Sequence, residues 1–357
     1  MNVLVLGASG YFGRRVLAAL RRAPELDATA GGRAPASGGV RVDLTDPSTF
    51  PALRDFAVVV NCADSTRAGP DGAAAYCGSH GGIFIETTTE AAVIQRLWET
   101  RRDRAAWRGA LLIGAGIFPG LSNLLAAAVA RRVIACRRLE LGFRIDVLSG
   151  AGGGMLAVMA GSMVRPAVYY EGGVRREAPP IAAGVTLPFA GRLRATVRLG
   201  LPEAAMLHWS TGTLSTGTFL AAAPPVPGPV ADALGRWLAR HPGAERAIGA
   251  QLRLVRGTLF RGRPTSIELT AVANREESMT DPPHETLRAA DGVTAGAYAA
   301  AAMVALLARR PPAPGVYLPD QLFELDDVLR AMAALAGGAP LVARQAPARP
   351  RAAPPAS

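Results

Sequence analysis

The chain of 357 residues contains no lysine; all 39 of its basic residues are arginine. That absence excludes a P-loop lysine, a Schiff-base or pyridoxal-phosphate lysine, and a Tyr-x-x-x-Lys catalytic pair. Kinases, P-loop NTPases and ordinary short-chain dehydrogenase chemistry go with it. Aromatics are scarce at 6%. The formal charge of +11 is spread in pairs such as Arg14-Arg15, Arg131-Arg132 and Arg309-Arg310 rather than in a stripe with aromatics between. This argues against a nucleic-acid partner and for solubility with some attraction for anionic small molecules. Only three cysteines occur, Cys62, Cys77 and Cys136, without framework spacing. An odd, sparse set fits a reducing cytoplasm and gives no metal site. The four histidines, His80, His208, His241 and His284, do not cluster. The stretch 109–130 carries no charge, but Gly114, Gly116, Pro119, Gly120 and Asn123 interrupt it. It reads as a strand, a turn and a buried helix, not a membrane span. The chain begins in an apolar strand, so no signal peptide is expected.

What is present begins at once. Val3-Leu4-Val5-Leu6 is an apolar strand, followed by Gly7-Ala8-Ser9-Gly10-Tyr11-Phe12-Gly13 and then a helical pattern. Glycines three apart between a strand and a helix build a phosphate-binding turn. Gly7 permits the turn, Gly10 lets a pyrophosphate approach the backbone, and Gly13 lets the helix pack on the strand. Ser9, Tyr11 and Phe12 complete the loop.

The first 120 or so residues alternate strand and helix as a doubly wound parallel sheet of the Rossmann type does. Strands are expected at 2–6, 27–31, 40–43, 56–61, 83–86 and 110–113, with helices at 12–22, 72–79, 91–106 and 121–133. From residue 138 the texture changes to an α+β pattern. Strands are expected at 138–147, 185–199 and 265–273, a glycine-rich turn at 150–154, and helices at 155–163 and 230–240. The Ala-rich helix 294–307 is expected to return to the first domain. The division is then 1–135 for dinucleotide binding, 136–290 for substrate and dimerisation, 291–336 for a returning helical segment, and 337–357 for a disordered tail rich in Pro and Ala.

An acidic residue about 20 positions past the glycines usually grips the ribose 2′-hydroxyl of NAD. Here that position holds Arg33, and no carboxylate ends the second strand. Arginine suits a 2′-phosphate, which favours NADP over NAD. Asp43 ends the third strand, where it either meets the adenine or caps a turn. Asn61, Cys62 and Ala63 end the fourth, a usual place for cofactor contact.

These segments together resemble the saccharopine dehydrogenase family. The resemblance rests on Gly7–Gly13, Gly32-Arg33, Val58-Val59-Val60-Asn61-Cys62-Ala63, Ile83-Phe84-Ile85-Glu86-Thr87-Thr88-Thr89-Glu90, Gly114–Asn123 and Pro314–Asp320. It is most specific over 1–130 and visible again near 290–330. It implies an NAD(P)-binding Rossmann domain with an inserted substrate domain, and chemistry at amino-acid-derived C–N bonds. Two departures stand out. Asp64-Ser65-Thr66-Arg67 replaces the family's glycine-proline-phenylalanine, and Glu86 and Thr89 stand where aspartate and glycine are usual.

Hydride transfer needs a proton donor or acceptor near the reacting heteroatom. Glu86, Thr87, Thr88 and Glu90, at the carboxyl end of the fifth strand, are substrate candidates, with helix capping as their alternative role. Asn123, in Pro119-Gly120-Leu121-Ser122-Asn123, and His208, between Leu207 and Trp209, are the others. Two further readings stay open. One is a semialdehyde or acyl-phosphate reductase with Cys136 as nucleophile, its thiol activated by neighbouring arginines. The other is a non-catalytic NADPH-binding module. A homodimer is compatible with the architecture.

Overall fold

The computed structural model describes residues 1–345 except 36, 104–106, 146–159, 223–224, 242, 260–264 and 276–281. The turn expected at 150–154 and most of the helix expected at 155–163 lie outside them.

Runs such as Val3–Leu6 are apolar at every position because both their faces are covered, the mark of a parallel sheet between helical layers. β1 (Asn2–Leu6), β2 (Asp27–Gly32), β3 (Val40–Arg41), β4 (Val58–Asn61), β5 (Ile83–Glu86) and β6 (Ala110–Ile113) form it. Their order is β6-β5-β4-β1-β2-β3, all parallel, and β15 (Gly315–Tyr317) adds a seventh strand beside β6. Val3, Val5, Val60 and Leu112 face one layer; Leu4, Leu6, Val59 and Leu111 face the other.

The first layer holds α1 (Gly13–Leu20), α4 (Ser122–Ala130) and the long α8 (Gly292–Arg309). The second holds α2 (Asp71–Ser79) and α3 (Ala91–Glu99). α8 packs on α1 and on α10 (Leu325–Leu335). It is long and apolar enough to cross a membrane, but most of it is buried in the core. The uncharged stretch 109–130 is likewise β6, a loop and α4. α4 carries no charge because it lies between the two sheets, against β7 (Arg138–Ile145) and β13 (Ile267–Asn274).

The second sheet has nine strands. β10 (Ala182–Phe189), β11 (Arg192–Arg198), β12 (Ser215–Leu220), β7, β13, β14 (His284–Ala289) and β16 (Ala343–Gln345) lie in that order. The hairpin β8 (Ala167–Glu171)–β9 (Val174–Ala178) pairs with β12 through β8. Helices α5 (Glu203–Thr211), α6 (Gly228–Arg240) and α7 (Ala244–Leu259) accompany it. The last short helix, α9 (Pro319–Leu322), precedes α10.

Two expectations change. The single strand expected at 185–199 is the hairpin β10–β11. Ala190 and Gly191, both with positive φ (45° and 75°), turn the chain within it. Ala-Gly is a weaker turn signal than Asn-Gly, and the flanking pattern hid it. Residues 337–345 of the expected tail are structured. Ala343–Gln345 pairs with β14, and Arg344 binds Glu285 and Asp326. Residues 346–357 lie outside the described residues.

Candidate active site

The glycine turn has the geometry its spacing predicts. Gly7 sits at φ +70°, and a Cβ there would lie 2.7 Å from the Ala63 nitrogen. A Cβ on Gly13 would overlap the Gly7 carbonyl, so only glycine lets α1 close on β1. Gly10 N–H donates to Gly7 O at 2.9 Å and tightens the loop. Ser9 and Gly10 are exposed, and Tyr11 and Phe12 are half-buried. The Tyr11 ring lies under Arg15, whose guanidinium is 4.0 Å from its centroid and donates to Tyr11 O. A helix start presents N–H groups that have no helical acceptor, which suits a pyrophosphate.

Arg33 is exposed just past the end of β2. Asp43 is committed locally: Oδ1 accepts from Thr45 N at 3.0 Å and Thr45 Oγ1 at 2.7 Å. Those bonds, helped by Arg33 and Arg41, hold its carboxyl below the usual range. Turn capping is thus the role this geometry gives Asp43.

The carboxyl ends of β4 and β5 share a buried polar network. Glu86 and Asn61 are fully enclosed, and Ser65 nearly so. Asn61 Nδ2 donates to Glu86 Oε2 at 2.7 Å, while Ser65 Oγ (3.0 Å) and Thr88 N (2.8 Å) donate to Oε1. Asn61 Oδ1 accepts from Ala63 N at 3.2 Å, and Thr87 Oγ1 donates to Asn61 O at 2.7 Å. Burial pushes the Glu86 carboxyl up to about 7, and the three donors pull against it. Glu86 ties the carboxyl ends of β4 and β5 together. Burial pushes the Cys62 thiol up to about 12, so it is not a thiolate at neutral pH.

Thr88 Oγ1 accepts from Glu90 N at 3.2 Å in a turn just ahead of α3, and no side chain caps the helix itself. Glu90 is buried at the start of α3 and pairs with Arg165 of the second domain, tying the two domains together. Asn123 is enclosed, and its Oδ1 accepts from Gly120 N at 3.2 Å. His208 stacks on Tyr170 at 3.9 Å, and its Nδ1 lies 3.0 Å from Thr213 O. These are second-domain contacts, apart from the Glu86 network. Cys136 donates to Arg138 O, and burial raises its thiol in spite of the adjacent arginines. The activation that a cysteine nucleophile requires is missing there.

Three site residues escape a reading of the sequence. Ser65 lies in the segment that departs from the family pattern. Arg165 has no local signal. Glu203, the first residue of α5, is fully buried and accepts from Ser122 Oγ at 3.2 Å across the domain boundary. Pro202-Glu203 reads locally as an ordinary helix start.

No family model and no curated protein sequence matches the chain. Among solved structures, it is similar to saccharopine dehydrogenase (L-Glu forming) from Saccharomyces cerevisiae, with a TM-score of 0.63 and 13% identity over 97% of this chain and 100% of that one. It is also similar to an engineered D-amino acid dehydrogenase bound to NADP+, with a TM-score of 0.50 and 12% identity over 90% of this chain and 94% of that one. A third is C. glutamicum DAP dehydrogenase in complex with DAP, with a TM-score of 0.50 and 12% identity over 92% of this chain and 98% of that one. The fold implied by the family resemblance is therefore the fold found: a doubly wound parallel sheet joined to a second, mixed sheet, shared over 90–97% of the chain with these solved structures.

Proposed function

We propose that the protein is an NADP-dependent oxidoreductase of the saccharopine dehydrogenase type. It moves a hydride to or from a carbon bonded to nitrogen in a small, amino-acid-derived substrate. The observation that carries this reading is the Gly7–Gly13 turn, closed against Ala63 at the carboxyl end of the central strand of a β3-β2-β1-β4-β5-β6 sheet. Ligands of such sheets bind at this end. The dehydrogenase folds that align with 90–97% of the chain support the same class.

When bound, the nicotinamide supplies or accepts the hydride. The chain's own residues hold and orient. Gly7, Ser9, Gly10, Tyr11, Phe12 and Gly13 cradle the pyrophosphate, and Arg33 meets the 2′-phosphate. Asn61, Cys62 and Ala63 form the wall beside it. Glu86 keeps the ends of β4 and β5 in register through Asn61, Ser65 and Thr88. Thr87, Thr88, Glu90 and Asn123 lie on the segments that border the substrate side.

Fluorescence titration with NADPH and NADH, on the wild type and Arg33→Ala, tests the cofactor assignment. Micromolar NADPH binding that weakens about tenfold in the variant, with NADH unaffected, is expected from the loss of one charge-assisted pair. Failure of both nucleotides to bind the wild type would remove the reading.

A further inference from the structure

α5 brings a second enclosed carboxyl to the domain boundary. Ser122 Oγ, from the first residue of α4, reaches Glu203 Oε1. Glu203 Oε2 has no hydrogen-bond partner among the described residues, nor has Nδ2 of Asn123, the next residue of α4. Buried polar atoms are almost always paired, and an orphaned carboxylate oxygen is among the costliest exceptions.

Among the described residues no charged side chain offsets Glu203. α4 and β12, which pack against α5, carry no ionisable side chain. β8 contributes Tyr169, Tyr170 and Glu171, and α5 itself contributes His208. β7, beside β12 in the same sheet, carries the Arg138–Glu140 pair and Arg144, which pairs with Glu268, and Asp320 of α9 faces Ser210. None of these acts on the Glu203 carboxyl, which burial pushes up to about 7 against two weaker opposing donors, its own backbone N–H at the start of α5 and Ser122 Oγ. A carboxyl in such a place is tolerated chiefly in its neutral form.

The contact continues past Ser122. The loop 114–121 leads into α4, and its Gly114 faces Met206 of α5. Further along, Ile117 and Phe12 of the glycine turn both pack against Gly296 of α8. Buried, close-packed pieces thus run from Glu203 to the dinucleotide turn, and such pieces shift between discrete arrangements rather than deform.

We propose that Glu203 is a positioning residue: its neutral carboxyl seats α4 and the 114–121 loop against the dinucleotide turn, so that the second domain governs cofactor affinity through one proton. The proposal rests on the dinucleotide-binding reading above. Ionisation leaves an unpaired charge in the junction, and the relief is a state in which α5 and α4 part and water reaches Oε2.

The full chain, as wild type, Glu203→Gln and Ser122→Ala, is compared between pH 5.5 and 8.5 by melting temperature and by NADPH titration. Glu203→Gln mimics the neutral acid at every pH. The wild type is expected to lose melting temperature relative to this variant as pH rises through 7. Its NADPH affinity is expected to fall on the order of fivefold more than that of the variant over the same interval. Ser122→Ala removes a hydrogen bond to the charged form and is expected to move the wild-type midpoint to higher pH. Glu86 is present in all three proteins and cancels. Parallel pH profiles of the wild type and Glu203→Gln, with NADPH bound by both, overturn the proposal and leave the cofactor reading intact. Absence of nucleotide binding in every protein overturns the cofactor reading, and the coupling with it. If Glu203→Gln does not fold, an unshifted midpoint in Ser122→Ala overturns the proposal.

Discussion

In the seven-stranded sheet, β1, β4, β5 and β6 are buried at nearly every position, whereas in the nine-stranded sheet β9 is almost wholly exposed and β10 only partly covered. Parallel strands sit between two helical layers and must be apolar throughout. Antiparallel strands with one face toward water alternate, and their polar positions blur the ends of each strand. The tolerance to change should differ in the same way. A side chain added where backbones touch in the first region has nowhere to go, while the turns of the second are open.

The largest effect is expected at the glycine turn. Gly13→Val drives a branched side chain into the Gly7 carbonyl. It should abolish NADPH binding and cost several kcal/mol, on the order of 3 or more, in urea unfolding. Near-wild-type stability would show that α1 can move off β1.

An intermediate effect is expected at Glu86. Its carboxyl is held at about 7 in the folded protein against an ordinary 4.5. The folded state binds the proton more tightly, so this contribution is fully present below the ordinary value and is lost as pH rises through about 7. The span is about 3 kcal/mol. Denaturation of Glu86→Gln across pH 4.5–8 should show a shallower fall of stability than the wild type; Glu203, which titrates in the same direction, supplies the remainder. The slope is the readout. Absolute stability will drop at all pH values, because an amide cannot accept from Asn61, Ser65 and Thr88 together. An unchanged slope would mean that the donor network, not burial, sets the charge of Glu86.

The smallest effect belongs to the second sheet. Gly191, in the β10–β11 turn, has φ +75°, and no atom lies within 4 Å of the place a methyl group would take there. Gly191→Ala should cost about 1 kcal/mol from backbone strain alone, with cofactor binding unchanged. A cost as large as that of Gly13→Val would show that the hairpin is packed more tightly than its exposure suggests.

Legibility follows the same divide. β1, β5 and β6 are legible to the residue, because each is a short apolar run with a glycine directly at one or both of its ends. The hairpin at 182–198 looks like one strand, because its turn residues are not strong signals and both arms alternate loosely. Within the site, Gly7, Gly13 and Asn61 are visible from local spacing. Ser65 is not, since its role depends on Glu86 lying 21 residues away. Glu86 is visible as a polar strand end, but its enclosure by Asn61 and Ser65 is not.

The glycine turn, the apolar strands around it and the missing lysine are local facts of the chain, and from them the doubly wound half and the excluded chemistries follow. The pairing of Glu86 with Asn61 spans 25 residues, and that of Ser122 with Glu203 spans 81. Neither distance leaves a periodicity to read. Burial turns those carboxyls from surface charges into proton-holding groups, and burial is a property of the packed domains rather than of any one segment. The return of β15 to the edge of the first sheet belongs with them: a three-residue strand acquires its place only when β6 is there to pair with it.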